Sequence, residues 1–271
     1  MTKASSHSSS RHLPNSFYWL AGIVCIASIL FFTNFKSNTV STAKANSGPA
    51  NFWAEAIAYE GKGEWAQAIL SFRHYLEANG PDKTAFRHLA ELCVKTGQFN
   101  QALAYAQQDV QAAPDAAEAV FKLGVVYQLL GQTKEAAQSY QKSVELDPKY
   151  AEGYFNLGFL SETQGQFLDA IGHYKKAIEA DPKHAKAYYN LGNVYAAMEK
   201  DGDAVGAYEA AVANNPDYMD ALVNLAILMT KNGKYKEAIQ YLDEARILGY
   251  EPPEEFLNAL EVYREKKAAT P

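Results

Sequence analysis

From residue 49 onward, apolar and small residues return to fixed places every 34 positions. Counted from Pro49, Lys83, Ala117, Ala151, Ala185 and Met219, the chain aligns on itself six times without a gap, over residues 49–252. Position 20 is Ala in all six periods: Ala68, Ala102, Ala136, Ala170, Ala204 and Ala238. Position 8 is always small: Ala56, Ala90, Gly124, Gly158, Gly192 and Ala226. Position 7 is Leu89, Leu123, Leu157, Leu191 or Leu225, with Glu55 in the first period.

Residues three and four apart share a helix face, so positions 4, 7, 8 and 11 form one apolar stripe and positions 17, 20, 24 and 27 a second. Each period is thus predicted to hold two amphipathic helices. The small residues at 8 and 20 let the two backbones approach, and the aromatic at 24 (Phe72, Tyr140, Tyr174, Tyr208) fills the space beside them. Gly63, Gly97, Gly131, Gly165 and Gly233 at position 15 end the first helix in the left-handed conformation that Gly adopts at least cost. Asp147-Pro148 and Asp181-Pro182 stop the second helix.

The segments GYFNLGFLSETQGQFLDAIGHYKKAIEADP (153–182) and AYYNLGNVYAAMEKDGDAVGAYEAAVANNP (187–216) follow the pattern W-x2-L-G-x2-Y…A-x3-F…P. On these residues the chain resembles the tetratricopeptide repeat (TPR) family over about four-fifths of its length. The resemblance implies an all-α, right-handed superhelical solenoid of helix-turn-helix repeats at 49–82, 83–116, 117–150, 151–184, 185–218 and 219–252. Two departures stand out. The fifth period has Glu199 at position 15 with Gly202 three residues on, which predicts an irregular turn. After the sixth, Phe256, Ala259, Leu260 and Tyr263 form one more stripe, read as a capping helix over residues 253–267.

The N-terminal segment is different in kind. Residues 1–48 hold Lys3, Arg11, Lys36 and Lys44 and no acidic residue, leaving 21 basic and 31 acidic residues for the remainder. Residues 1–16 are Ser-rich with nothing to bury and read as disordered. Residues 17–35 contain no charge and have aromatic groups at both ends. As a helix they would reach about 28 Å, close to the hydrocarbon thickness of a bilayer. They are read as a single membrane-spanning anchor, and residues 36–48 as a flexible spacer. A cleavable signal peptide with a site at Ala43-Lys44-Ala45 is the rival reading. Lys3, Arg11 and the α-amino group lean the N-terminus to the cytoplasm and the repeats to the extracytoplasmic side. A cytoplasm-facing repeat region remains the alternative.

Composition narrows the function. Two cysteines, Cys25 and Cys93, exclude a disulfide framework or a Cys-rich zinc site. A net charge of −6 without clustered Lys or Arg speaks against nucleic acid. No phosphate-binding loop, dinucleotide fingerprint, H-E-x-x-H or G-x-S-x-G motif occurs, and the six His show no metal-ligand spacing. The chain is therefore read as a non-enzyme with no cofactor and no metal. Cys93 is read as core, and His88 as satisfied although it falls on a groove position.

In the TPR family the concave groove is lined by first-helix positions 2, 5, 6, 9, 12 and 13. Here position 5 gives Trp53, Arg87, Phe121, Phe155, Tyr189, Val223 and Leu257, and position 6 gives Ala54, His88, Lys122, Asn156, Asn190, Asn224 and Asn258. Consecutive aromatics thus run beside consecutive Asn, with Asn193 at position 9 near Asn190. An Asn both donates and accepts, so a row of them can hold a peptide main chain whatever its side chains. The arrangement is similar to the asparagine ladder of O-linked N-acetylglucosamine transferases; the competing reading is that Asn is simply frequent at this position. A carboxylate clamp of the kind that grips chaperone tails is incomplete. Lys186-x3-Asn190 and Asn224 fit it, but Glu254-x3-Asn258 has the wrong charge. Acidic residues at position 2 (Glu118, Glu152, Asp220, Glu254, against Lys186) favour a neutral or basic ligand.

The expected function is a membrane-anchored protein-interaction scaffold that binds a partner peptide or protein through Phe121, Lys122, Phe155, Asn156, Tyr189, Asn190, Asn193, Asn224 and Asn258. The alternative is a structural factor that oligomerises or organises a complex through its convex faces or ends. The partner, the pathway and the oligomeric state are not fixed by the sequence.

Overall fold

The computed structural model describes residues 49–268, and these are helical throughout apart from short turns. The proposed leader, anchor and spacer lie outside the described residues. No helix among the described residues is long and apolar enough to cross a membrane. The first helices of the six repeats are α1 (Pro49–Gly61), α3 (Lys83–Lys95), α5 (Ala117–Leu129), α7 (Ala151–Thr163), α9 (Ala185–Ala197) and α11 (Met219–Lys231). The second helices are α2 (Trp65–Asn79), α4 (Phe99–Ala112), α6 (Thr133–Leu146), α8 (Phe167–Ala180), α10 (Asp201–Asn214) and α12 (Tyr235–Ile247), and α13 (Glu254–Ala268) follows.

Each first helix packs on its own second helix and on the second helix of the repeat before it. The core is accordingly a series of small layers in place of one centre. All six position-20 alanines are fully buried. Position 10 is buried in every repeat that has a predecessor: Leu92, Val126, Leu160, Val194 and Leu228. These residues cluster with the second helix of the preceding repeat, Leu160 beside Tyr140 and Val144, for example. In the first repeat, with no repeat before it among the described residues, the same position is the exposed Ala58. First helices therefore carry two apolar stripes, of which the 4-7-8-11 pattern shows only one.

Position 8 is the tightest point. A Cβ added to Gly124, Gly158 or Gly192 would come within 2.7, 2.7 and 2.6 Å of the rings of Tyr140, Tyr174 and Tyr208. Those three rings lie flat on the first helix because their hydroxyls reach across it. Tyr140 donates to Gln128 (2.6 Å), Tyr174 to Glu162 (2.5 Å) and Tyr208 to Asn193 (2.8 Å). Where position 24 is Phe72, Ala106 or Leu242 there is no hydroxyl to place, and position 8 is Ala56, Ala90 or Ala226.

The turn within each repeat is closed by position 15. Gly63, Gly97, Gly131, Gly165 and Gly233 have φ between 71° and 75°. The fifth repeat departs from the expectation of an irregular turn. Glu199 itself takes φ 58°, and Lys200 N–H donates to the Tyr195 carbonyl (2.9 Å) as Gln166 N–H does to Ser161 (2.9 Å). Gly202 lies inside α10. Packing on both sides of the turn fixes its path, so a residue poorly suited to a left-handed backbone adopts it. Between repeats, Asp147 and Asp181 accept from the N–H of Lys149 (2.9 Å) and Lys183 (3.0 Å), which closes the Asp-Pro turn. Asp82 caps α3 by accepting from the N–H groups of Thr84 and Ala85 (2.8 and 2.9 Å).

Three outcomes are expected in thermal or denaturant melts. Gly158→Ala is destabilising by about 1–3 kcal/mol, because overpacking against Tyr174 outweighs the gain in helix propensity. Gly172→Ala and Gly206→Ala, in helices with nothing within 4 Å of the added Cβ, are stabilising by about 0.5–1 kcal/mol. Glu199→Gly is stabilising by roughly 0.5–1 kcal/mol, because relief of the left-handed backbone exceeds the entropy cost of Gly.

Candidate binding face

The first helices present positions 2, 5, 6, 9, 12 and 13 along one side. Among helices that are not neighbours in sequence, α7 and α9 come into direct contact, which sets first helices on the inside of the bend there. The face is tied together by a polar bond from position 6 of one repeat to position 9, 12 or 24 of the repeat before. His88 Nδ1 lies 3.0 Å from Glu60, and Lys122 Nζ 2.6 Å from Glu91. Asn190 donates to the Tyr174 hydroxyl (3.2 Å), and Asn224 to Asn193 (3.4 Å). Asn156 instead donates to the Glu152 carbonyl of its own helix (2.9 Å). Asn258 is exposed on α13. The structure thus sets Asn156, Asn190, Asn193 and Asn224 on one face and gives three of them a role in joining repeats. An amide has two donor and two acceptor sites, so a single bond leaves capacity for a ligand.

The aromatic residues at position 5 are more engaged than their pattern suggests. Phe121 sits 5.4 Å from Tyr140 and 5.1 Å from Tyr150. Phe155 sits 5.8 Å from Tyr174 and stacks on His184 at 5.1 Å. Tyr189 sits 5.8 Å from Tyr208 and stacks on Tyr218 at 4.8 Å. Each ring is held between position 24 of its own repeat and position 34, the residue that leads into the next first helix. Phe121 and Phe155 are half-buried, whereas Tyr189 is buried at 7% exposure. Position 34 is not marked in the sequence because its residue type varies, from Asp82 and Ala116 to Tyr150, His184 and Tyr218.

The face is electrostatically divided. Toward the N-terminal end its charges are matched within the protein. In the second repeat Arg87 takes the aromatic slot and reaches Asp109 (3.1 Å) and Glu118 (3.5 Å). Asp109 is buried at 2% exposure, and its Oδ1 has no partner. Burial disfavours the Lys122 ammonium, but its hydrogen bonds to Glu118 (2.7 Å) and Glu91 outweigh that and raise its pKa. The bond from Lys122, helped by Arg87, holds the Glu118 carboxyl below its ordinary value. His88 stacks on Phe72 at 4.9 Å and meets the edge of Trp53 at 5.7 Å, and Lys95 lies 3.8 Å from the carboxylate it shares, Glu60.

Farther along, the matching stops. Glu162, at position 12 of the fourth repeat, accepts only from the Tyr174 hydroxyl, and no Lys, Arg or His among the described residues pairs with it. Burial pushes its carboxyl above the ordinary value, and the Tyr174 bond offsets that only in part. Burial and the carboxylates of Glu152, Glu118 and Asp147 push the Tyr150 phenol up to about 12. The surface hollows, of about 500 Å³ beside Ala137, Gln141 and Leu157 and about 330 Å³ beside Val110, Val120 and Tyr127, include none of the candidate residues. Among the described residues no cluster of His, Cys, Asp and Glu is arranged to hold a metal ion, and Cys93 is fully buried in the core.

A carboxyl whose folded-state pKa is raised is penalised in the folded state above that pKa and relieved as pH falls through it. Glu162→Gln is therefore expected to raise the unfolding midpoint at pH 7. The gain should shrink to nothing as pH falls below the usual carboxylate range of about 4. Melts of both proteins across pH 3.5–8 check this, and a midpoint difference independent of pH would contradict it.

A family model described as TPR repeat matches residues 129–165 and 162–199, and one described as Tetratricopeptide repeat matches residues 198–252. The chain carries tetratricopeptide repeats. Several solved structures share the fold. One of MamA protein is 28% identical, covering 61% of this chain and 91% of that one at a TM-score of 0.53. One of pilF from Pseudomonas aeruginosa is 23% identical, covering 69% and 86% at a TM-score of 0.60. One of YrrB, described as a TPR protein with an unusual peptide-binding site, is 21% identical, covering 71% and 97% at a TM-score of 0.52. No curated protein matches the chain.

Proposed function

We propose that this protein is a membrane-tethered interaction scaffold that holds an extended segment of a partner protein along the face made by its first helices. The observation that carries the reading is the row Asn156, Asn190, Asn193 and Asn224 on that face, which Asn258 on α13 would extend, flanked by Phe121, Phe155 and Tyr189. TPR folds mediate protein and peptide binding, which makes a protein segment the natural occupant of such a face. The amides meet the main chain of the bound segment, and the exposed parts of Phe121 and Phe155 meet its apolar side chains. Lys122, locked between Glu91 and Glu118, marks the charged end of the run. Residues 17–35 supply the tether and residues 36–48 the slack that lets the repeats turn toward their partner. The slight positive-inside bias favours the extracytoplasmic side for the repeats over the cytoplasmic one.

The assembly alternative has its own observation at the other end of the array. Ile247, at the end of α12, is 85% exposed, and Leu248 beside it is 37% exposed. A concentration-dependent rise in light-scattering mass that Ile247→Glu removes would favour self-association through that end.

Site-specific crosslinking separates the two. A photoreactive phenylalanine placed at Asn156 or Asn258 on the first-helix face is expected to trap a discrete partner in native membranes. The same probe at Gln141 or Lys175, exposed on second helices, is expected to trap none. Adducts from the second-helix positions alone would overturn the groove reading.

A further inference from the structure

Position 12 carries a carboxylate in two repeats, and the two sites differ in one respect. Glu60 in the first repeat receives His88 from position 6 of the next repeat (3.0 Å) and Lys95 from position 13 (3.8 Å). Glu162 in the fourth repeat has the corresponding neighbours Asn190 and Ala197. The first supplies no charge, and the second is a methyl group on an exposed position. The positions that give Glu60 two bases are thus repeated around Glu162 with both bases removed.

The third repeat shows that a carboxylate is not needed there for packing. Gln128 occupies position 12 and accepts the Tyr140 hydroxyl at 2.6 Å, as Glu162 accepts that of Tyr174 at 2.5 Å. A neutral amide does the same structural work without the cost of a partly buried charge. The surroundings of Glu162 are aromatic. Phe159 lies one helical turn before Glu162 on the same face and is half-buried, and Phe155 lies a turn beyond that. Aromatic faces and a desolvated carboxylate both favour a cationic head on an aliphatic stem. Glu152, Asp220 and Glu254 add negative charge along the face and have no ion pair among the described residues.

We propose that Glu162 is the charge anchor of the binding face, and that it takes a lysine or arginine side chain of the bound segment. This rests on the groove reading and sharpens it: the partner segment is basic at one fixed place, and its main chain passes over Asn156 and Asn190 on either side of that place. The incoming ammonium or guanidinium supplies the missing counterpart of His88 and Lys95, and Asn190 stays bonded to Tyr174.

The test is selection of a random dodecapeptide library on the immobilised 271-residue chain in mild detergent, run in parallel on wild type and Glu162→Gln. The expected result is that wild-type binders carry Lys or Arg at one aligned position. Binders selected on Glu162→Gln are expected to keep the flanking apolar pattern and lose that basic residue. A synthetic wild-type binder should weaken at least tenfold when its basic residue becomes norleucine, and that loss should vanish in Glu162→Gln. Aligned wild-type binders without a fixed basic residue, or the same basic residue enriched on Glu162→Gln, would overturn the anchor and leave the groove reading standing. Failure of wild type to enrich any peptide, with the circular dichroism of a folded helical array, would overturn both. Because Gln fills the same place in the third repeat, the variant folds and the comparison stays interpretable.

Discussion

The placement of a tyrosine hydroxyl across a glycine governs much of this solenoid. For Tyr140, Tyr174 and Tyr208 to reach Gln128, Glu162 and Asn193, each ring has to lie against the first helix where any side chain at position 8 would collide with it. The glycines at 124, 158 and 192 accept about 1 kcal/mol each in lost helix propensity. What they gain is a buried aromatic whose polar tip is satisfied on the binding face. The bond therefore couples three levels at once. It fixes the distance between the two helices of a repeat, it buries the largest side chains of the core, and it sets a polar group at the floor of the groove.

From that floor the order of the repeats propagates. Asn190 meets the Tyr174 hydroxyl and Asn224 meets Asn193, which already accepts from Tyr208. Each repeat thus hands its neighbour a polar contact as well as the apolar contact made by Leu160 or Val194 at position 10. In an array stabilised by nearest-neighbour interfaces, such contacts set how stiffly one repeat follows the next. On the proposed reading, a ligand that lies across Asn190 and Asn224 touches the same bonds that transmit this stiffness. Binding and straightening or bending of the array are in that sense expressed in the same side chains.

The fold was legible because its determinants are periodic. Ala at position 20 and Gly at position 15 repeat at a spacing that only paired helices explain. The second apolar stripe, at position 10 and at position 3 (Ala85, Ala119, Gly153, Ala187 and Ala221, all buried), was less visible. It is built from Ala, Gly, Leu and Val in a register that overlaps the first, and only burial separates the two. The turn at Glu199 is not legible in residue type, because the packed helices on either side impose its backbone path. In the candidate site, the row of Asn and aromatics could be named from position alone. Their partners could not. Arg87 and Asp109 meet across 22 residues of sequence, and the rings at 121, 155 and 189 pack on a position whose identity changes from Tyr to His. Contacts between different positions of different repeats leave no mark in a pattern read one position at a time.

The division of charge along the face has a physical consequence for encounter as well as for the bound state. In the first three repeats Glu60, Glu91 and Glu118 are each within 4 Å of a base, so their fields largely cancel beyond a few ångströms. Breaking such a pair to accommodate a ligand leaves a partly desolvated charge behind, which makes that end of the groove a poor place for a new ionic contact. In the last three repeats Glu152, Glu162 and Asp220 face Lys186 and Lys231 among the groove positions of the same stretch, and Lys231 is itself matched by Asp201 at 2.6 Å, so a net negative potential survives there. At physiological salt it reaches roughly 8 Å, about the distance across a groove one chain wide. On the proposed reading, a basic segment is drawn toward the end of the face where the amides are, and is not held at the end where every charge is already matched. The same arrangement that makes the N-terminal repeats self-sufficient makes the C-terminal ones receptive.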